Sequence, residues 1–117
     1  IVETPTMTRD QYVALNVDNN LRNEAMAQFN AVQVRAELLA AGAGDIGLPG
    51  SQDAGFQRIY ADFQAGRITK DQAINNMGPV MGNVVREAGP PRKTYRDYAI
   101  DFFRKDWDTY IAPTRRP

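Results

Sequence analysis

The sequence predicts an all-α fold, one compact single domain of about five helices spanning residues 1–117. Apolar residues recur at helical spacing along most of the chain. Three capping patterns, Thr8 with Gln11, Thr69 with Gln72 and Thr94 with Asp97, mark helix starts, because a hydroxyl and a side chain three residues on satisfy each other's backbone donors. No strand is expected. The pairs Val80-Met81 and Val84-Val85 are short and lie beside Gly82.

Residues 1–7 read as a tail broken by Pro5. From Thr8 a helix is expected over about residues 9–17, with Tyr12, Val13 and Leu15 turned inward. Asn16, Asp18, Asn19 and Asn20 follow. These side chains compete for backbone hydrogen bonds, so the cluster is either a break or a wet stretch of one long helix. Leu21, Ala25, Phe29, Val32, Ala36 and Leu39 then form one continuous stripe that ends near Ala41, where Gly42 and Gly44 supply left-handed positions. Gly42 to Gly50 reads as a loop.

A helical hairpin is expected over residues 52–77. Ser51 or Asp53 caps its first arm, and Phe56, Ile59, Tyr60 and Phe63 form its apolar face. Gly66 ends that arm, and Thr69 with Gln72 opens the second, where Ile68 can staple against Ala73. Met77-Gly78-Pro79 is expected to break the second arm, leaving a short helix over Val80 to Glu87. Gly89-Pro90-Pro91 is a boundary, since proline lacks a donor and restricts its predecessor. Beyond it, Thr94 opens an aromatic-rich C-terminal helix that Pro113 ends, with Asp101 and Lys105 as an i,i+4 pair and a basic tail after it. The expected core collects Leu21, Phe29, Val32, Leu39, Phe56, Ile59, Phe63, Ile74, Phe102 and Trp107.

Composition limits the chemistry. Lys and Arg number 14 and Asp and Glu number 14, so the formal charge is zero, which excludes a strongly basic nucleic-acid module while permitting a local patch. There is no cysteine, so disulfides and thiolate catalysis are excluded. There is no histidine, which removes the commonest acid/base group, the usual zinc ligand and the Ser-His-Asp arrangement. Residues 1–10 carry no signal-peptide pattern, and no run of 18 apolar residues occurs, so membrane insertion is not expected. A chain beginning at Ile1 predicts a domain excised from a longer protein.

The best polar candidate is Gly89 to Arg96, where Arg92, Lys93 and Arg96 gather with Tyr95 at a helix N-terminus whose backbone donors favour anions. An ordinary linker and cap is the alternative reading of that segment. Arg92, Lys93 and Arg104 are the candidate substrate-binding cations. Tyr95, Arg96 and Asp97 are the candidate catalytic residues, as charge stabiliser and acid/base groups. A tyrosine and an arginine beside a carboxylate could cleave RNA or move a proton, but the sequence nominates no particular trio. Glu37, Asp45 and Asp53 could gather around Mg²⁺, yet no spacing demands it, so no metal or cofactor is expected.

One stretch carries a family resemblance. Ile59 to Ile74, continuing through Met77-Gly78, Met81-Gly82-Asn83, Thr94-Tyr95-Arg96-Asp97-Tyr98 and Trp107, resembles the C-terminal toxin domains of bacterial polymorphic toxins of the Rhs and contact-dependent-inhibition type. The resemblance covers about residues 56–110. It implies a secreted effector that acts in the cytoplasm of a competitor cell, on RNA or a nucleotide in many members, and that a cognate immunity protein neutralises. Nuclease members usually rely on His, and this chain departs from them there. A non-enzymatic helical interaction or assembly module is the alternative, with a protein partner in either case.

Overall fold

A computed structural model describes residues 1–45 and 53–115. The chain is all-α, with four α-helices among the described residues instead of five: α1 (Arg9–Ala40), α2 (Ala54–Gln64), α3 (Lys70–Asn83) and α4 (Tyr95–Asp106). Two short strands, β1 (Val85–Glu87) and β2 (Lys93–Thr94), lie between α3 and α4. The chain divides into two units, Ile1–Leu21 with Gly82–Pro117, and Arg22–Met81.

The helices expected over residues 9–17 and 21–41 are one helix. The asparagine cluster does not break it, because Asn16 is buried and fully bonded. Its amide donates to the Tyr12 carbonyl at 2.9 Å and the Val2 carbonyl at 2.8 Å, and its oxygen accepts from the Val2 N–H. The side chain therefore stitches the N-terminal segment to α1 and leaves the helix ladder intact. Asp18, Asn19 and Asn20 face water.

In the unit Arg22–Met81 the helix signals work as local chemistry dictates. Leu38 and Leu39 carbonyls accept from the Ala43 and Gly42 N–H groups, closing α1 with Gly42 at φ +83°. Gly66, at φ +76°, closes α2 in the same way, with Arg67 and Gly66 N–H groups on the Asp62 and Phe63 carbonyls. Asp53 caps α2 through the Gly55 and Phe56 N–H groups; the Ser51 alternative and residues 46–50 of the expected loop lie outside the described residues. Thr69 and Gln72 form the capping box of α3. Phe29 is fully buried against Tyr60 and Phe63, while Ile59 and Phe63 are half-buried.

α3 does not stop at Pro79, nor does a separate helix follow. Met77, Met81 and Ala73 are buried on one face, and this burial holds the two sides of Pro79 in one helix. Leu39 is 40% exposed, which takes the last turn of the α1 stripe out of the expected core.

In the unit Ile1–Leu21 with Gly82–Pro117, Tyr12 packs edge-on to Phe103 and tilted against Trp107, with centroids at 6.1 and 5.4 Å. Phe103 and Trp107 are four apart and share one face. Phe102 sits about 100° further round the helix and is 59% exposed, correcting its placement in the core. Leu15 is likewise outside, at 39%. Beyond Asp106 the helix widens into a π-turn (Trp107–Ile111), ahead of Pro113, and tightens into a 3₁₀ turn (Ala112–Arg115). The basic tail does not trail off at once: Arg115 stacks on Trp107 at 4.8 Å and donates to the Thr4, Pro5 and Met7 carbonyls and the Glu3 carboxylate.

Candidate functional site

The segment from Asn83 to Thr94 is a hairpin rather than the expected short helix and linker. β1 and β2 pair antiparallel, Val85 opposite Thr94 and Glu87 opposite Lys93, with an irregularity in register between them. Such a bulge re-aims the side chains around it. Strands this short are held by what flanks them. Gly89 makes the turn at φ +94°, where a Cβ would lie 2.4 Å from both Arg92 N and Pro91 C, so no other residue fits. The Tyr95 N–H then donates to the Val84 carbonyl at 3.0 Å, tying the start of α4 to the start of the hairpin.

Thr94 and Asp97 form the capping box of α4: the Thr94 N–H donates to Asp97 at 2.9 Å and the Asp97 N–H to the Thr94 hydroxyl at 3.2 Å. The hydrogen bonds from Thr94, aided by the charges of Arg92 and Lys93, hold the Asp97 carboxyl below the usual carboxylate value. A group whose pKa is depressed on folding adds stability above its unfolded value and loses it as pH falls through the folded one. An Asp97→Asn variant is therefore expected to show a shallower loss of stability on acidification below about pH 4, read by urea midpoints across that range. An unchanged acid limb would show that the box carries no such linkage.

Two surfaces meet at this start of α4. The first is a cleft of about 360 Å³ between the hairpin turn and α4, lined by Pro91, Arg92, Lys93, Asp97, Ile100, Asp101 and Arg104. Lys93 is bridged to Asp101 at 3.6 Å, so Asp101 pairs across to the hairpin and not with Lys105 as expected along the helix. Arg92 and Arg104 make no ion pair or hydrogen bond to the described residues. Two guanidinium groups with unused donors lining one cleft, Arg92 from the hairpin and Arg104 from α4, suit a phosphate or carboxylate.

The second surface is an aromatic and cationic cluster. The Arg86 guanidinium lies 4.6 Å from the Tyr98 ring and 5.7 Å from the Tyr95 ring. The Lys93 ammonium lies 5.4 Å from the same Tyr98 ring. The Tyr98 hydroxyl donates a hydrogen bond to Glu87 Oε2. That bond and partial burial push the phenol pKa up, so Tyr98 keeps its proton at neutral pH. Lys93 belongs to both surfaces.

Of the six residues nominated from sequence, Arg92, Lys93, Asp97 and Arg104 thus line one cleft. Arg96 turns instead to a neighbouring cleft of about 290 Å³ against α1, bridged to Asp18 at 3.9 Å. Tyr95 lines neither and stacks under Arg86. Asp97 is committed to its cap. Arg86, Glu87 and Tyr98 are not among those six, although Tyr98 lies in the aromatic and basic stretch of the last helix. The signal for Tyr98 was its i+3 spacing from Tyr95; for Arg86 and Glu87 it was their place just before Gly89-Pro90, which reads as a turn between paired segments.

Among the described residues no group of three or more His, Cys, Asp or Glu side chains could hold a metal ion. Asp45 is paired with Arg35 at 2.9 Å, and Asp53 caps α2. No described helix is long and apolar enough to cross a membrane. Comparison with protein-family models, curated proteins and solved structures finds no match.

Proposed function

We propose that this chain is the effector domain of an exported bacterial polymorphic toxin, acting in the cytoplasm of a competitor cell and neutralised by a cognate immunity protein. Its substrate is RNA or a nucleotide, held by its phosphates in the cleft between the hairpin turn and α4. The observation that carries the ligand class is the convergence of Arg92 and Arg104, neither of them ion-paired among the described residues, on one cleft with Lys93. The order of motifs from Ile59 to Trp107 supports the effector reading.

Residues 1–117 expressed in the bacterial cytoplasm are expected to arrest growth, and co-expression of the neighbouring downstream gene to restore it. The Arg92→Ala, Arg104→Ala double variant is expected to relieve arrest. Its binding to a labelled single-stranded RNA should also lose salt dependence, by about 0.7 in log–log slope per phosphate contact removed. Normal growth with soluble, folded wild-type protein would sink the effector reading.

One observation favours the alternative, a non-enzymatic interaction module. Phe102 and Tyr110 are 59% and 71% exposed and line a shallow cleft with Lys105 and Thr109, an apolar surface suited to a protein partner. A single stable partner in pull-downs, with no growth defect from either protein, would select this reading.

A further inference from the structure

We propose that the Glu87–Tyr98 pair, with Arg86, is a histidine-free acid/base centre that cleaves RNA at a phosphodiester. This rests on the reading of the adjacent cleft as an RNA-phosphate site. The cluster has the parts the reaction needs, and three elements deliver them to one place: Arg86 and Glu87 from β1, Lys93 from β2, Tyr98 from α4. Arg86 and Glu87 are exposed, and Tyr98 is half-buried, so a substrate can reach all three. Glu87 uses Oε2 for the phenol, and its side chain makes no other hydrogen bond or ion pair to the described residues, leaving Oε1 for a substrate hydroxyl. Arg86 makes no ion pair with the described residues; its guanidinium lies over the Tyr98 and Tyr95 rings, with its donors left for a phosphate. Lys93 joins the centre to the cleft where Arg92 and Arg104 would hold the flanking phosphates.

The chemistry balances without a metal or a redox partner. Glu87 Oε1 takes the proton of the ribose 2′-hydroxyl as O2′ bonds to phosphorus. As the bond from phosphorus to O5′ breaks, the Tyr98 hydroxyl turns from Glu87 Oε2 and gives its proton to the departing O5′. Arg86 and Lys93 face the charge that grows on the phosphoryl oxygens. The products are a 2′,3′-cyclic phosphate and a 5′-hydroxyl end. Glu87 Oε1 then releases its proton to water, the Tyr98 oxygen takes one from water, and the hydrogen bond from the phenol to Oε2 re-forms, which resets the centre. The raised pKa of Tyr98 keeps the phenol protonated at neutral pH.

The test uses purified chain, a fluorescein-labelled single-stranded RNA 20-mer and its all-deoxy counterpart. Wild type is expected to cut the RNA, leaving cyclic phosphate ends detectable by mass spectrometry, and to bind the DNA without cutting it. Glu87→Gln and Tyr98→Phe should each lower kcat about 100-fold or more, with RNA affinity within about threefold and an unchanged circular dichroism spectrum. Arg92→Ala should raise KM and spare kcat. RNA bound but uncut by wild type, equal cutting of the DNA, or a Glu87→Gln variant that cuts at the wild-type rate would each overturn the acid/base assignment and leave the cleft standing. RNA left unbound by wild type would remove the cleft reading and this inference with it.

Discussion

Replacing Phe29 with Ala is expected to lower the unfolding free energy by about 3–5 kcal/mol. The ring is fully buried in the unit Arg22–Met81. It meets Tyr60 and Phe63 edge-on, with centroids at 5.6 and 5.1 Å, and Tyr60 and Phe63 meet each other at 5.9 Å. The Lys70 ammonium covers it at 5.4 Å. Truncation therefore removes the hub of a three-ring cluster and opens a cavity that α1, α2 and α3 would have to close by moving. Small domains have only about 5–15 kcal/mol in total, so the variant should be marginal at room temperature. Phe29→Leu fills more of the space and should cost less than half as much. Urea unfolding followed by circular dichroism measures both. A cost below about 1 kcal/mol for the alanine variant would mean that the cluster repacks freely, against the close packing usual of protein interiors.

That cluster was legible in the sequence, because each part of it depends on spacing along one helix. Phe29 lies on the stripe from Leu21 to Leu39, and Phe56, Tyr60 and Phe63 lie on another. The three capping boxes were legible for the same reason: Thr8 with Gln11, Thr69 with Gln72 and Thr94 with Asp97 need only residues three apart. Where the deciding contact is distant in sequence, local reading leaves alternatives open or chooses the wrong one. Nothing near Asn16 announces that it will bond Val2 and so keep α1 continuous. Phe102 and Phe103 are equally apolar, and only Tyr12, some ninety positions away, decides which of them turns inward.

The same division runs through the candidate site. Arg92 and Lys93 stood out with Arg96 as a basic cluster beside a helix start; Arg92 and Lys93 line one cleft with Arg104, from the last turn of α4, while Arg96 lines its neighbour. The trio that the sequence could not nominate needed a hairpin. Glu87 and Tyr98 are eleven residues apart, and the Gly89 turn and the box at Thr94 bring them together. Two strands of three and two residues leave no periodic trace, so a reading that looked for alternation had nothing to find.

Tyr12 should show, by contrast, how one side chain supports this whole unit. Its ring is fully buried against Phe103 and Trp107, and its hydroxyl donates to Asp106. Tyr12→Ala is expected to cost about 3–5 kcal/mol, since it deletes the ring around which α4 is seated. Because α4 carries Asp97, Tyr98 and Arg104, the proposed RNA binding should fall with it. Tyr12→Phe keeps the ring and removes only the hydroxyl, leaving the partly buried Asp106 carboxylate without its donor, at about 1.5–3 kcal/mol. The difference between the two variants separates packing from the hydrogen bond. A second signature is alkaline. Burial, with the hydrogen bond and charge of Asp106, pushes the Tyr12 pKa from 10.0 up to about 12. A pKa raised on folding gives stability that is complete below the unfolded value and is lost as pH rises through the folded one. Wild type should therefore lose stability between about pH 10 and 12, and the part of that loss due to Tyr12 should vanish in Tyr12→Phe. Urea midpoints of both proteins across that window measure it, and identical alkaline limbs would show that Tyr12 titrates as freely in the fold as out of it.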